Sequence, residues 1–382
     1  MTALPTTTSQ PDAKHPLAPY KALESDELRA RIESVRIHFG DELLLLGHHY
    51  QQDDVVAHCD LRGDSYKLSE LAASSDSCRT IVFCGVHFMA ETADILANRP
   101  EKLDSRGNRV TVILPDMAAG CSMADMAAIA QVEEAWEDMS EVIDTDRVIP
   151  VTYINSAASL KAFCGRHGGI VCTSSNARAV MEWAYERGDR VFFFPDQHLG
   201  RNTGLSMGIS EKSMPVWDPY ALELGGNTEA KLKDSSVILW KGHCSVHQMF
   251  RPEHVAQFRD QHPGIQILVH PECPREVNDL ADVSGSTGKI IDTVRNSPPG
   301  TKWAIGTELH LVNRLKAEHP EQEIHFLSPV VCMCATMYRI DLPHLAWCLE
   351  NLRDGCVVNQ ILVNEETTKW SLIALERMLA VK

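Results

Sequence analysis

Residues 43–50 read LLLLGHHY: four leucines that need burial, then a glycine, then three polar rings. A short apolar run bounded by a glycine fits a buried strand better than a helix, which needs about ten residues or more. The pattern returns, and this decides the fold. VIPVTYIN (148–155) and IQILVHPE (265–272) are likewise apolar runs that end in His, Tyr, Asn or Glu. Each of the three is followed by a Ser/Thr-rich turn that opens a helical pattern: GDSYKLSELAA (63–73), CTSSNARAVMEWA (172–184) and SGSTGKIIDTV (284–294). A second strand-like run comes next in each: TIVFCG (80–85), RVFFFP (190–195) and KWAIGT (302–307). A third run closes each unit with a cysteine shortly after it: TVILPDMAAGC (111–121), SVILWKGHC (236–244) and IHFLSPVVCMC (324–334).

Strands alternating with helical patterns predict parallel α/β units. The chain therefore reads as three copies of strand–helix–strand–helix–strand–Cys, an α/β fold of three similar parallel-sheet α/β/α units. The expected segments are 25–125, 126–246 and 247–340, after an N-terminal arm over 1–24 that reads as flexible and polar. Ser25 is placed as the cap of a first helix whose stripe is Leu28, Ile32, Val35 and Phe39, ended by Gly40. Helices at 342–352 and 365–380 are expected to pack on the first unit. Two stretches lie outside the repeat: an acidic helix face at 131–146 and a surface loop at 203–235.

Composition sets limits. The 382 residues are 44% hydrophobic and 23% charged, with a formal net charge of −16. Such a surface repels nucleic acid and anionic membranes, though a locally positive pocket still admits an anionic substrate. No run approaches the roughly 20 apolar residues of a membrane span. The first two dozen residues lack the apolar segment of a secretory leader, so a cytoplasmic location is expected. Structural disulfides are rare there, so the twelve cysteines need another account.

Ligands in open parallel sheets sit at the carboxyl ends of the strands. Three units sharing a centre would bring Cys121, Cys244 and one of Cys332 and Cys334 toward one point. The paired knuckles of a zinc ribbon are absent, and so is the closely spaced run of a ferredoxin. Three thiolates suit a [4Fe-4S] cluster with one iron free to act as a Lewis acid. The strand ends add an acid–base set. His48 and Tyr50 lie on one side of their strand, as do Tyr153 with Asn155 and His270 with Glu272. Ser65, Ser174, Ser286 and Thr287 open helices, where they would serve as caps, as anion-binding groups, or as both. Another Lewis-acid hydro-lyase, an iron–sulfur sensor and a zinc-stabilised scaffold remain open on these residues alone.

GHHYQ, GDSYKLSELA, VFCGVHFMAETADIL, VTYINSAASLKA, CTSSNA, FFPDQHLGRNTG, WKGHCSVH, VHPE, GSTGK and CMCATM together resemble the quinolinate synthase (quinolinate synthetase A) family, in order, from about residue 40 to 350. The resemblance implies three α/β domains with pseudo-threefold symmetry and an active site at their common interface. It implies a [4Fe-4S] cluster on Cys121, Cys244 and Cys334. Cys334 is preferred to Cys332 because C-A-T-M stands where the family has C-P-x-M, alanine replacing proline. It implies condensation of iminoaspartate with dihydroxyacetone phosphate, with loss of phosphate and two waters, in NAD biosynthesis. His48, Tyr50, Tyr153, His270 and Glu272 would be catalytic. Ser65, Asn155, Ser174, Ser286 and Thr287 would bind substrate together with His48, Tyr153, His270 and Glu272. A transient contact with the enzyme that supplies the imine would fit its instability.

Overall fold

Strands that are apolar at every position must be covered on both faces, which helices flanking a parallel sheet provide. The computed structural model describes residues 13–74, 78–331 and 333–381, and it has three such sheets. The first contains β1 (Leu43–His48), β2 (Leu61–Gly63), β3 (Thr80–Cys84) and β4 (Thr111–Ile113), parallel and in the order β2-β1-β3-β4. The second contains β5 (Val148–Tyr153), β6 (Ile170–Cys172), β7 (Arg190–Phe194), β8 (Val216–Trp217) and β9 (Val237–Trp240), in the order β6-β5-β7-β9-β8. The third contains β10 (Gln266–Val269), β11 (Val283–Ser284), β12 (Lys302–Gly306) and β13 (Glu323–Phe326), in the order β11-β10-β12-β13. A last strand, β14 (Gln360–Ile361), pairs antiparallel with β4.

The strands read from the sequence are all present, and the topology repeats: first strand central, second beside it, third beyond. The structure adds a short edge strand to each sheet, β2, β6 and β11, next to the first strand. Two or three residues are too few to show periodicity in a sequence.

The residues divide into two compact units. One runs through Cys121 and takes in Cys334–Thr368; the other comprises Ser122–Met333 and the chain from Lys369. Sheet one lies in the first unit, sheets two and three in the second.

In the first unit the helix Ser25–Phe39 buries Leu28, Ile32 and Val35 and packs along the helix Leu342–Arg353. Ser25 is its first residue rather than its cap; Glu24 holds the cap position and makes no side-chain bond there. Gly40 ends the helix at φ +50°, a conformation that favours glycine. Residues 1–12 of the expected arm lie outside the described residues, but 13–24 are not a loose arm. Tyr20 is buried and donates to Glu350 Oε2 at 2.5 Å, and the Trp347 indole donates to the His15 carbonyl at 2.6 Å. The apolar ring of Tyr20, which polarity averaging conceals, anchors this segment.

In the second unit Phe192, Phe193, Phe194 and Trp240 are fully buried on sheet two. Each such side chain contributes roughly 1.5–3 kcal/mol through burial. The helix Glu365–Ala380 does not stay with sheet one as expected. Ser371 donates to the Ala158 carbonyl at 2.8 Å and Arg377 to that of Gly169 at 2.5 Å. Gly165 makes the approach possible, since a Cβ there would collide with the Trp370 carbonyl. Nor is 203–235 a plain surface loop. It contains β8 and the short helix Glu229–Lys233, and it buries Met214, Trp217 and Leu232. Its Gly, Ser and Pro residues punctuate these elements. The acidic stretch forms the helix Ile129–Ser140, which buries Val132, Ala135 and Met139 and turns Glu133, Glu134 and Glu137 outward. Among the described residues no helix is long and apolar enough to cross a membrane.

Candidate active site

Strand register places the polar groups. His48 pairs with Gly63, so Tyr50 and Ser65 each lie two residues further on. Tyr153 pairs with Cys172, which puts Asn155 and Ser174 in the same relation. Val269 pairs with Ser284, so His270 is level with Gly285, and Glu272 with Thr287. Each edge strand thus carries a hydroxyl to the level of the strand-end pair beside it. The capping roles differ. Asp64, not Ser65, caps the helix Ser65–Ser74 by accepting from Lys67 N–H at 2.9 Å. Asn176 accepts from Thr173 N–H at 2.8 Å in the turn that holds Ser174. Ser286 is a true cap, accepting from Lys289 N–H at 3.3 Å. It is buried, as is Thr287.

Sheets one and three share a further device. Tyr50 N–H donates to His48 Nδ1 at 3.2 Å, and Glu272 N–H donates to His270 Nδ1 at 3.3 Å. A backbone N–H can only donate, so Nδ1 is the acceptor and the neutral ring carries its proton on Nε2. Both histidines are buried. The Tyr50 ring meets that of His48 edge-on at 4.7 Å.

The second unit gathers Tyr153, Cys244, His270 and Glu272, and adds His247 and Thr307. His247 Nδ1 is 2.8 Å from Glu272 Oε2, and its Nε2 is 3.2 Å from Thr307 Oγ1. With Glu272 ionised, Nδ1 carries the proton and Nε2 accepts from the Thr307 hydroxyl. The Tyr153 hydroxyl also bonds Glu272. His247 stacks on His270 with centroids 4.6 Å apart. The Cys244 sulfur, a His247 nitrogen and a Glu272 oxygen all lie within 4.8 Å of one another.

Burial alone would raise the Glu272 pKa. The His247 and His270 rings, with the hydrogen bonds from His247 and Tyr153, outweigh it and hold the carboxyl below the usual carboxylate range. Asp196 goes the other way: burial and the charge of Glu272 push it well above the carboxylate range. It accepts from the backbone N–H groups of His198 and Leu199 at 2.8 Å. Two carboxyls with opposed tendencies leave the negative charge on Glu272, the arrangement of a base beside a proton-holding neighbour.

Burial also pushes His270 down, from 6.5 to about 3. The unfolded chain therefore takes up a proton below about pH 6.5 that the folded protein refuses until about pH 3, so stability falls with pH across that window. One such group gives a limiting slope of about 1.4 kcal/mol per pH unit. His270→Asn is expected to lose that contribution, giving a flatter dependence of the urea midpoint between about pH 6 and about pH 4. An unchanged slope would contradict the assignment.

In the first unit Arg339 Nε bonds Asp116 Oδ2 at 2.8 Å, tying the segment after Cys334 to the loop that ends at Cys121. Gln52 donates to the Tyr338 and Ile340 carbonyls at 2.9 and 3.1 Å. These bonds hold the loops of Cys121, Cys334 and Tyr50 at the same end of sheet one.

The cysteines separate by environment. Burial raises the thiols of Cys164, Cys172, Cys273 and Cys348, and a hydrogen bond with Cys59 followed by burial raises that of Cys84, so all five are kept protonated and unsuited to bind metal. Cys121, Cys244 and Cys334 are half-buried thiols outside any disulfide. Cys59 is half-buried too, but it packs against Gly47 and donates to the Val55 carbonyl. Cys332 lies outside the described residues.

Residues 30–380 match the family model described as quinolinate synthetase A protein. The chain belongs to the quinolinate synthetase A family. A quinolinate synthase of Rhodopirellula baltica is 79% identical over 392 aligned residues, covering the whole of both chains. One from Geobacillus kaustophilus is 52% identical over 95% of each chain. One from Corynebacterium glutamicum is 51% identical over 95% of this chain and 89% of its own. As a member of the quinolinate synthetase A family, the chain is an enzyme, and an acid–base cluster at the strand ends is what an enzyme of this fold requires. Sequence reasoning missed His247 and Thr307 in that cluster. His247 was legible in the C-x-x-H spacing of WKGHCSVH, and Thr307 closes KWAIGT at the end of β12.

Proposed function

We propose that the chain is a quinolinate synthase of NAD biosynthesis acting in the cytoplasm, which joins iminoaspartate to dihydroxyacetone phosphate and releases phosphate and two waters. The observation that carries this reading is the ionised Glu272, bonded by His247 and Tyr153 and lying beside the Cys244 sulfur. The overall reaction balances without an external oxidant or reductant, so it needs proton transfers and expulsion of water rather than electron flow. Glu272 takes protons from carbon and returns them to leaving hydroxyls, and His247 holds its carboxylate in place. Tyr153 donates to an intermediate oxygen. His48 and His270 donate through Nε2–H to carboxylate or carbonyl oxygens, with Tyr50 oriented against His48. Asn155, Ser65, Ser174, Ser286 and Thr287 bind the phosphate and carboxylates through amide, hydroxyl and helix N–H groups.

Cys121, Cys244 and Cys334 would hold a [4Fe-4S] cluster. Their half-buried thiols fit it, as the raised, fully buried ones do not. When bound, the cluster supplies a Lewis-acid iron that assists dehydration. The partners are then the two small anions and, transiently, the enzyme that makes the unstable imine. Nucleic acid and membrane are unsuited to the negative surface. The second reading is a zinc site on Cys244, His247 and Glu272, whose donor types and spacing also suit that ion. Protein purified without oxygen and supplied with both substrates is expected to form quinolinate and to contain iron and sulfide. Zinc without sulfide, or no product, would overturn the proposal.

A further inference from the structure

Away from the strand ends, three side chains meet at the outer edge of sheet three. β13 is the last strand there, and Glu323 and His325, two residues apart, leave it on one face. His262 joins them from the C-terminal end of the helix Pro252–Gln261. His262 Nδ1 and His325 Nε2 approach the same oxygen, Glu323 Oε1, at 2.8 and 2.9 Å. One ligand atom from each of the three lies within 4.8 Å of the others.

The surroundings fix this set. Phe258 lies against both rings, with centroids 5.7 Å from each. Lys302, opposite Glu323 in the β12–β13 register, reaches the other oxygen, Oε2, at 3.3 Å. One carboxylate oxygen is thus held by an outer partner while the other faces two imidazoles, as in sites where neighbours orient a ligating carboxylate. The side chains of His262, Glu323 and His325 are 26%, 39% and 27% exposed, which leaves room for water to complete a coordination shell. Two convergent imidazoles with a single carboxylate are the donor set of borderline divalent ions, and they discriminate against calcium and magnesium.

We propose that His262, Glu323 and His325 bind a divalent transition ion of the zinc class, separate from the strand-end cluster, which clamps the helix Pro252–Gln261 to the edge of sheet three. An ion that binds only the folded state raises the unfolding temperature. The test is a zinc titration against a chromogenic zinc indicator, on protein carrying its normal metal complement. His262→Gln, Glu323→Gln and His325→Gln are compared with wild type and with His319→Gln, a neighbouring histidine that pairs with Glu321 instead. Wild type and His319→Gln are expected to bind one more zinc ion per chain than the three ligand variants, whose affinity at this site falls at least about tenfold. Added zinc is expected to raise the Tm of the first two proteins only. Unchanged turnover in the ligand variants shows that they are folded. Zinc uptake and Tm shifts equal in all five proteins, or no uptake by wild type beyond that of Glu323→Gln, would overturn the proposal.

Discussion

Cys244→Ser protein, purified without oxygen, is expected to be colourless and to form no quinolinate. Serine keeps the size of cysteine, but its hydroxyl does not ionise near neutral pH, so a thiolate ligand is lost while the packing stays. The fold should survive, because Cys244 is half-buried and lies in the irregular segment after β9 rather than in a core. Cys121→Ser should behave alike. Cys356→Ser, at another half-buried thiol, should stay brown and active. Iron and sulfide content, read beside turnover, separates loss of the cluster from loss of chemistry. A brown, fully active Cys244→Ser protein would sink the ligand assignment and the Lewis-acid role with it.

Glu272→Gln should do the reverse, keeping the cluster and losing the chemistry. The amide matches the carboxylate in shape and can still accept from His247, but it cannot take a proton. Removing a positioned general base costs about 10²–10⁴ in rate, which corresponds to about 3–5 kcal/mol of barrier. The loss is expected in kcat, with KM for the triose phosphate little changed, because the groups proposed to bind the phosphate are hydroxyls and helix N–H groups. Thr307→Val, which removes the hydroxyl partner of His247 Nε2, should give a smaller fall of the same kind. A Glu272→Gln enzyme with wild-type kcat would remove the carboxylate from the mechanism.

The three-sheet plan could be read from strand ends because parallel strands buried on both faces leave apolar runs that stop abruptly at a polar residue. Tyr153, Cys244, His270 and Glu272 were found in this way, and the structure gathers them. The edge strands β2, β6 and β11 were not visible, since two or three residues carry no period. Their hydroxyls still drew notice as helix openers. His247 sits on a single 3-10 turn, His247–Met249, whose place beside Glu272 depends on how sheets two and three pack. The C-x-x-H spacing marks His247 as a neighbour of Cys244, but no local pattern encodes its approach to Glu272. The segment around Tyr20 and the far half of the last helix were misplaced for a related reason. Tyr20 and Ser371 each find partners distant in sequence, Glu350 and Ala158.

Those edge strands matter for more than placing hydroxyls. A sheet margin is a row of unpaired amides that a second polypeptide can extend, and a chain with three separate sheets multiplies that hazard during synthesis. Here β2, β6 and β11 offer only two or three residues each, too little to template growth. The opposite margin of sheet three, β13, carries Glu323 and His325. Lengthening β2 with Val or Ile should therefore leave turnover intact and turn a well-behaved protein into one that precipitates as it is made.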